Sequence, residues 1–183
     1  AALFHDIGKP ASKKIIDGNI TFYNHEKIGA QLTKQILTRL KYPNAVIDDV
    51  CHLIEEHMFN YESNWTVPAV RRFIIRVGQE HLEDLFDLRL ADMYGMHNLP
   101  IEYKYSAAIN LLLELKDRIA LELEKNNAMS LKDLAINGRD LIDAGFEPGK
   151  KLGIILNHLL DCVIEDPGMN TKEKLLEVAL KSS

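Results

Sequence analysis

HEKIGAQLTKQILTRL, residues 25–40, sets Ile28, Leu32, Ile36 and Leu40 at a spacing of four, the pattern of one apolar helix face. The same periodicity recurs along the chain. A helix is predicted over 44–59, with Val46, Val50, Leu53 and Ile54 facing inward. WTVPAVRRFIIRVG (65–78) has Thr66 as N-cap, Pro68 in the first turn and Gly78 as its stop. Helices over 80–96 and 101–126 follow, the second carrying Leu111, Leu112 and Leu115 and ending at Asn126-Asn127. The only strand-like stretch is KIIDGNITF (14–22), where Asp17-Gly18 suits a two-residue hairpin turn. The fold class is therefore all-α, a helical bundle with a small β-hairpin.

Beyond residue 127 the pattern changes. SLKD (130–133) and NGRD (137–140) each read as an N-cap with an acid at N3, and NTKE (170–173) caps a last short helix. Between them FEPGKKLGIILNHLLDCVIEDPG places Pro148 in a first helical turn and stops at Pro167-Gly168. The expected division is 1–127 as one all-α unit and 128–183 as a smaller helical appendage.

Hydrophobic residues make up 46% of the 183 and charged residues 27%, which excludes a disordered chain and allows a proper core. No apolar run is long enough to span a bilayer, and the opening residues lack the order of a signal peptide. Cys51 and Cys162 lie far apart and read as reduced thiols, so a cytoplasmic setting is expected. The net charge of −5 excludes a wholesale nucleic-acid coat. Yet residues 1–43 carry seven Lys/Arg against three acids, a balance of +4, while 44–66 carry five acids and no Lys or Arg. A positive N-terminal region suits a phosphate-bearing ligand, and equally a solvated face.

The chemistry begins at ALFHDIGKP (2–10). A phosphate-ester hydrolase uses a divalent cation to polarise the phosphoryl oxygen and activate a water near neutral pH. Imidazole and carboxylate suit Fe, Mn, Ni or Zn, with Mg a further choice. On a helix His5 and Asp6 point about 100° apart, and can still converge on one ion above it. Gly8-Lys9-Pro10 is read as ending that helix, leaving the Lys9 ammonium beside the ion for a substrate phosphate. His25 at a helix start, His57 at a helix end and Asp92 in LRLAD can join them, since helix termini and bundle interiors gather distant side chains. Asp92 has apolar neighbours, and a buried carboxylate needs a partner.

The other histidines have duller readings. His52 suits a local hydrogen bond one turn before Glu56, and His81, His97 and His158 read as structural or surface residues. Arg71-Arg72 suit RNA or phosphate and, as readily, a structural salt bridge. EPGKK (147–151) combines a helix start, Gly149 and two lysines, which makes either a phosphate site or a plain helix start.

His5-Asp6, His25, His57 and Asp92, in that order among helices, resemble the HD superfamily of metal-dependent phosphohydrolases. Together with FYNHEKIGA, RRFIIRVG and the long string from SLKD to LLEVA, they resemble the C-terminal half of bacterial tRNA nucleotidyltransferases of the CCA-adding and poly(A) polymerase class. The resemblance spans nearly the whole chain, and its later part separates this class from HD enzymes at large. It implies metal ligands at His5, Asp6 and Asp92, with His25 and His57 as further ligands or phosphate contacts and Asp6 and Lys9 serving catalysis. It implies a further histidine upstream of residue 1 and a nucleotidyltransferase head that the chain does not include, so a longer parent protein is expected. It implies tRNA as partner, for which Arg71, Arg72, Arg139, Gly149, Lys150 and Lys151 are the candidate phosphate contacts, and leaves a homo-oligomer open. The competing expectations are a free-standing HD phosphohydrolase acting on nucleotides or cyclic phosphates, and a vestigial HD site that only positions RNA.

Overall fold

The computed structural model describes residues 1–97, 107–125 and 128–181, and it is all-α with one hairpin. Among the described residues the chain runs through α1 (Lys9–Ser12), β1 (Lys14–Ile16), β2 (Asn19–Thr21), α2 (His25–Arg39), α3 (Asn44–Glu56) and α4 (Val67–Val77). It continues through α5 (Leu82–His97), α6 (Ala107–Glu124), α7 (Gly138–Asp143), α8 (Lys150–Glu165) and α9 (Lys172–Lys181). Short 3₁₀ turns precede α5, α7 and α9. No described helix is long and apolar enough to cross a membrane. The parts of the predicted 101–126 helix at 101–106 and at Asn126, with its stop at Asn127, lie outside the described residues.

Two compact units emerge. The first comprises Ala1–Ser63 and Val77–Glu114, the second Asn64–Arg76 and Leu115–Ser183. This grouping differs from a division after residue 127, because α4 and the second half of α6 belong with the tail. The physical reason is visible at Arg71 on α4. Its guanidinium meets Glu122 on α6 at 2.9 Å and donates to the Ile164 carbonyl of α8 at 2.7 Å, all three residues being buried.

In the first unit, the hairpin pairs Lys14 with Thr21, Ile15 with Ile20 and Ile16 with Asn19. Asp17 and Gly18 turn it with φ of 50° and 78°, as a two-residue loop of this kind requires. Behind it α2 packs on α3, and α3 on α5. The buried line of α2 is His25, Gly29, Thr33 and Leu37 with Ala30, one position round from the predicted stripe. Ile28, Leu32 and Ile36 are half-buried flanks, and Leu40 is exposed. Small and polar residues occupy the inner line because backbone comes that close. A Cβ on Gly8 would stand 2.1 Å from the His25 carbonyl oxygen and 2.7 Å from the Gly29 nitrogen. Likewise α3 buries Ile47, Leu53 and Ile54, whereas Val46 is exposed and Val50 half-buried. It ends at Glu56, three residues before the expected stop.

The opening stretch also departs from expectation. Residues 2–8 form successive turns, with Phe4 donating to Ala1 O, Ile7 to Phe4 O and Lys9 to Asp6 O. Gly8-Lys9-Pro10 starts α1 rather than ending a helix, and proline fits there because the first turn needs no N–H from it.

The second unit has its core in Leu134, Ile136, Leu141, Leu159, Val163, Leu175 and Ala179. Both predicted capping boxes form, at Ser130/Asp133 and Asn137/Asp140. Pro148 lies just ahead of α8, whose N-cap is Gly149 at a φ of 151° that favours glycine. The last helix is capped by Thr171, which accepts from Lys174 N, while Asn170 accepts from Ala135 N and donates to Asp133 O.

Candidate metal centre

Three imidazoles from separate segments of the first unit converge on Asp6. His5 comes from the opening turns, His25 is the first residue of α2, and His57 is the C-cap of α3. Each is fixed by the same local bond. His5 Nδ1 lies 2.8 Å from Ala2 O, His25 Nδ1 2.9 Å from Phe22 O, and His57 Nδ1 2.6 Å from Ile54 O. A ring that donates Nδ1–H to a carbonyl three residues back carries its lone pair on Nε2. All three Nε2 atoms are buried and make no hydrogen bond. The His57 ring stands edge-on to His5 and to His25, 5.3 Å away in each case.

The carboxylates complete the cluster. Asp6 Oδ1 lies 3.4 Å from His25 Nε2, and Asp6 Oδ2 lies 3.5 Å from His5 Nε2. Asp92, on α5 and largely buried, brings Oδ1 to 3.5 Å from the same His5 nitrogen. Asp6 thus belongs to two sets of donors, with His25 and His57 on one side and with His5 and Asp92 on the other. Within each set one donor atom per residue lies within 4.8 Å of the others. Bonds of about 2.1 Å to one ion put its ligand atoms roughly 3–4 Å apart, so the spacing fits. A donor set of nitrogen and carboxylate oxygen suits a first-row transition ion better than an all-oxygen cation such as Mg²⁺.

Electrostatics agree with that fit. Burial pushes the His57 imidazole below its ordinary value; its hydrogen bond to Ile54 O only partly offsets this, so at neutral pH it is uncharged. Burial pushes the Asp6 carboxyl up, but the Lys9 hydrogen bond and nearby His5 outweigh it and hold it ionised below the usual range. Lys9 Nζ sits 2.6 Å from Asp6 Oδ2, and Arg89 NH1 sits 3.2 Å from Asp92 Oδ2. Both cations also line the cleft of about 730 Å³ that opens over Asp6, His25 and Asp92. Arg89 escaped notice in the sequence, although it stands one helical turn before Asp92 in LRLAD.

Other candidates separate clearly. Arg71 is buried in its ion pair with Glu122, so the structural reading of that residue holds and its guanidinium is closed to RNA. Arg72 is half exposed and paired with Glu165. Arg139, Gly149, Lys150 and Lys151 are all exposed on the second unit. His52 makes a long-range bond, Nε2 to Val77 O at 2.6 Å, in place of a local one. His81 meets Asp49 at 3.1 Å, and His158 is exposed beside Cys162. The His97 side chain lies outside the described residues. Both cysteines are free thiols.

The family model for tRNA nucleotidyltransferase domain 2 matches residues 21–179. The chain belongs to that family. An A-adding tRNA nucleotidyltransferase of Deinococcus radiodurans is 32% identical over 164 residues, covering 88% of this chain and 36% of the relative. A CC-adding tRNA nucleotidyltransferase of Thermus thermophilus is 36% identical over 94 residues, covering 50% of this chain and 21% of the relative. The chain thus spans well under two thirds of the length of these curated relatives. No solved structure matches it significantly. The family match takes in His25, His57, Asp92 and the tail, and begins after His5-Asp6.

Proposed function

We propose that this chain is the body and tail of a tRNA nucleotidyltransferase acting in tRNA 3′-end processing, and that its histidine cluster is a metal-dependent phosphohydrolase site of the HD type. The first half rests on the family and on the two relatives, both named as tRNA nucleotidyltransferases. The second rests on one observation: three buried imidazole nitrogens with no hydrogen-bond partner, gathered around two carboxylates. Leaving three such atoms unpaired costs stability unless a ligand takes their lone pairs.

His5, Asp6, His25, His57 and Asp92 would hold the ion. A divalent cation there supplies Lewis acidity to a phosphoryl oxygen and lowers the pKa of a water. Lys9 and Arg89 neutralise the two carboxylates in its absence and offer their charges to a phosphate in the cleft. The head that adds nucleotides is the expected partner domain, in a cytoplasmic setting. On the second unit, exposed Arg139, Lys150, Lys151 and the α8 amides at Gly149 contact tRNA phosphates, and Arg72, paired with Glu165 at the far end of α8, adds a separate contact once released.

A second reading, a cluster kept only for structure, draws on those same Lys9 and Arg89 ion pairs. Calorimetry with Mn²⁺, Ni²⁺ and Zn²⁺ separates the two. The metal reading expects binding that Asp6→Ala and Asp92→Ala each weaken. Unchanged binding in both variants removes the site. Turnover of an aryl phosphodiester by this chain, or by a form extended upstream, then tests hydrolysis; inertness of both with every bound metal leaves the structural reading.

A further inference from the structure

Helix α8 carries its charges against its own dipole. A helix N-terminus favours acids and a C-terminus favours cations. Here Lys150 and Lys151 open the helix, with no acid in the first turn, while Asp161 and Glu165 lie toward its end, with no cation in the last. At about 100° per residue, Lys150, Ile154, His158, Asp161 and Glu165 fall on one stripe, with Lys151 at its edge. All six are exposed. Arg72 holds Glu165, whereas Lys150, Lys151 and Asp161 have no ion pair among the described residues. Ile154, 70% exposed, stands in the middle of the stripe and borders a cleft of about 470 Å³ with Phe146, Leu152 and Ile155. The core of the unit takes the opposite side of the helix, at Leu159 and Val163.

We propose that this stripe pairs antiparallel with the same stripe of a second copy of this chain. A two-fold contact needs a surface that complements itself, and a helix basic at one end and acidic at the other does so only antiparallel. With the axis level with Leu156, Lys151 and Asp161 lie equally far to either side of it, as do Ile154 and His158. Lys150 and Lys151 of each copy then meet Asp161 of the other, and the two Ile154 side chains flank the axis. The opposed dipoles add to the attraction, since each lysine end lies beside the partner's carbonyl end. A polyanion such as RNA suits the lysine end alone, because Asp161 and Glu165 repel it along the rest of the stripe. The pairing therefore stands independently of the tRNA reading, and the two compete for Lys150 and Lys151.

Sedimentation velocity over a concentration series decides it. This chain should associate reversibly to a dimer in low salt and come apart as added salt screens the pairs. Lys150→Glu/Lys151→Glu sets acid against acid, and Asp161→Lys sets cation against cation. Each raises the dimer dissociation constant roughly ten-fold or more, because like charges now oppose one another. Mixed in equal amounts, the two variants associate again, since each supplies the charge that the other lacks. Ile154→Asp weakens the dimer of the otherwise unaltered chain as well. A chain that stays monomeric at every concentration, a dimer indifferent to both charge variants, or a mixture of folded variants that stays apart overturns the pairing. Complexes that form only when tRNA is added, and that survive Asp161→Lys, assign the face to RNA and overturn it too. A dimer that excess tRNA leaves intact supports the pairing and removes both lysines from the tRNA contacts.

Discussion

The two units treat buried polar groups in opposite ways. In the second, Arg71, Glu122 and Ile164 O satisfy one another, two capping boxes close their helices, and Asn170 ties the 3₁₀ turn at residues 131–133 to the chain beyond it. In the first, His5, His25, Thr33, His57 and His81 each bury a nitrogen or oxygen with no hydrogen-bond partner, and among the described residues no such atom occurs in the second unit. A unit that only had to be stable would not keep three of these around two carboxylates. Unpaired atoms gathered in one place mark where a ligand belongs, and paired ones mark where a scaffold does.

The largest effect that comparison predicts is at Arg71. Arg71→Ala leaves Glu122 buried with one partner, Lys125, and strips Ile164 O, which costs about 3–5 kcal/mol in denaturant unfolding. Arg71→Met with Glu122→Leu removes both charges and recovers most of that loss. The pair also sets an acid limb. Burial pushes the Glu122 carboxyl up, but hydrogen bonds from Lys125 and Arg71 outweigh it, so the folded value lies below the ordinary one. Its contribution is therefore full above the ordinary glutamate range and is lost as pH falls through the folded value. Glu122→Gln flattens the acid side of a stability–pH profile; an unaltered slope there contradicts the assignment.

Next in size is Gly8→Ala. The added methyl would meet the His25 carbonyl at 2.1 Å, and both groups are backbone, so the opening turns must move away from α2. A loss on the order of 3 kcal/mol is expected, together with weaker divalent-ion binding, because His5 and His25 flank the same contact. Gly138→Ala in the second unit meets nothing within 4 Å and should shift the melting transition little. Equal effects from the two substitutions would dissolve the contrast.

The third test pits function against stability directly. His57→Leu removes an unsatisfied Nε2 and one hydrogen bond to Ile54 O, two changes of opposite sign. Metal-free stability should change by less than about 1 kcal/mol, measured by chemical denaturation. Divalent-ion affinity should fall further than the roughly 10–100-fold that loss of a mere supporting partner costs. A large stability loss with intact ion binding would place His57 in the scaffold.

How much of this could be read beforehand divides along the same line. Caps and turns are local, so Asp17-Gly18, SLKD and NGRD announced themselves, and the all-α class followed from periodicity. His5, Asp6, His25, His57 and Asp92 could be singled out as candidates through the family resemblance, and the fold brings these five side chains together. The inner face of α2 was not. Its buried line is His25, Gly29, Thr33 and Leu37, chosen for close backbone approach, and hydrophobicity pointed instead to the half-buried flank at Ile28, Leu32 and Ile36. Arg71 was equally opaque. Nothing in RRFIIRVG says which of two adjacent arginines finds a carboxylate 51 residues later.

The smallest effect concerns the exposed cations of the tail. Lys150 and Lys151 open α8 behind Gly149, whose φ of 151° lets the chain enter the helix with its first amides uncovered. Both side chains are exposed, and neither holds up the core formed by Leu141, Leu159 and Leu175. Replacing both by alanine should leave unfolding within about 0.5 kcal/mol. If the tail grips tRNA, the same change acts where stability does not register. Phosphate contacts position the nucleic acid without reading its sequence, so that reading expects different tRNAs to bind alike, weakly, and with steep salt dependence. Each lost contact lowers the slope of log K against log salt by about one, so the double variant should lose one to two units. The net charge of −5 confines any attraction to such a patch, which makes the slope a sharper readout than affinity at one salt concentration. An unchanged slope in Lys150→Ala/Lys151→Ala removes both lysines from the proposed RNA contacts.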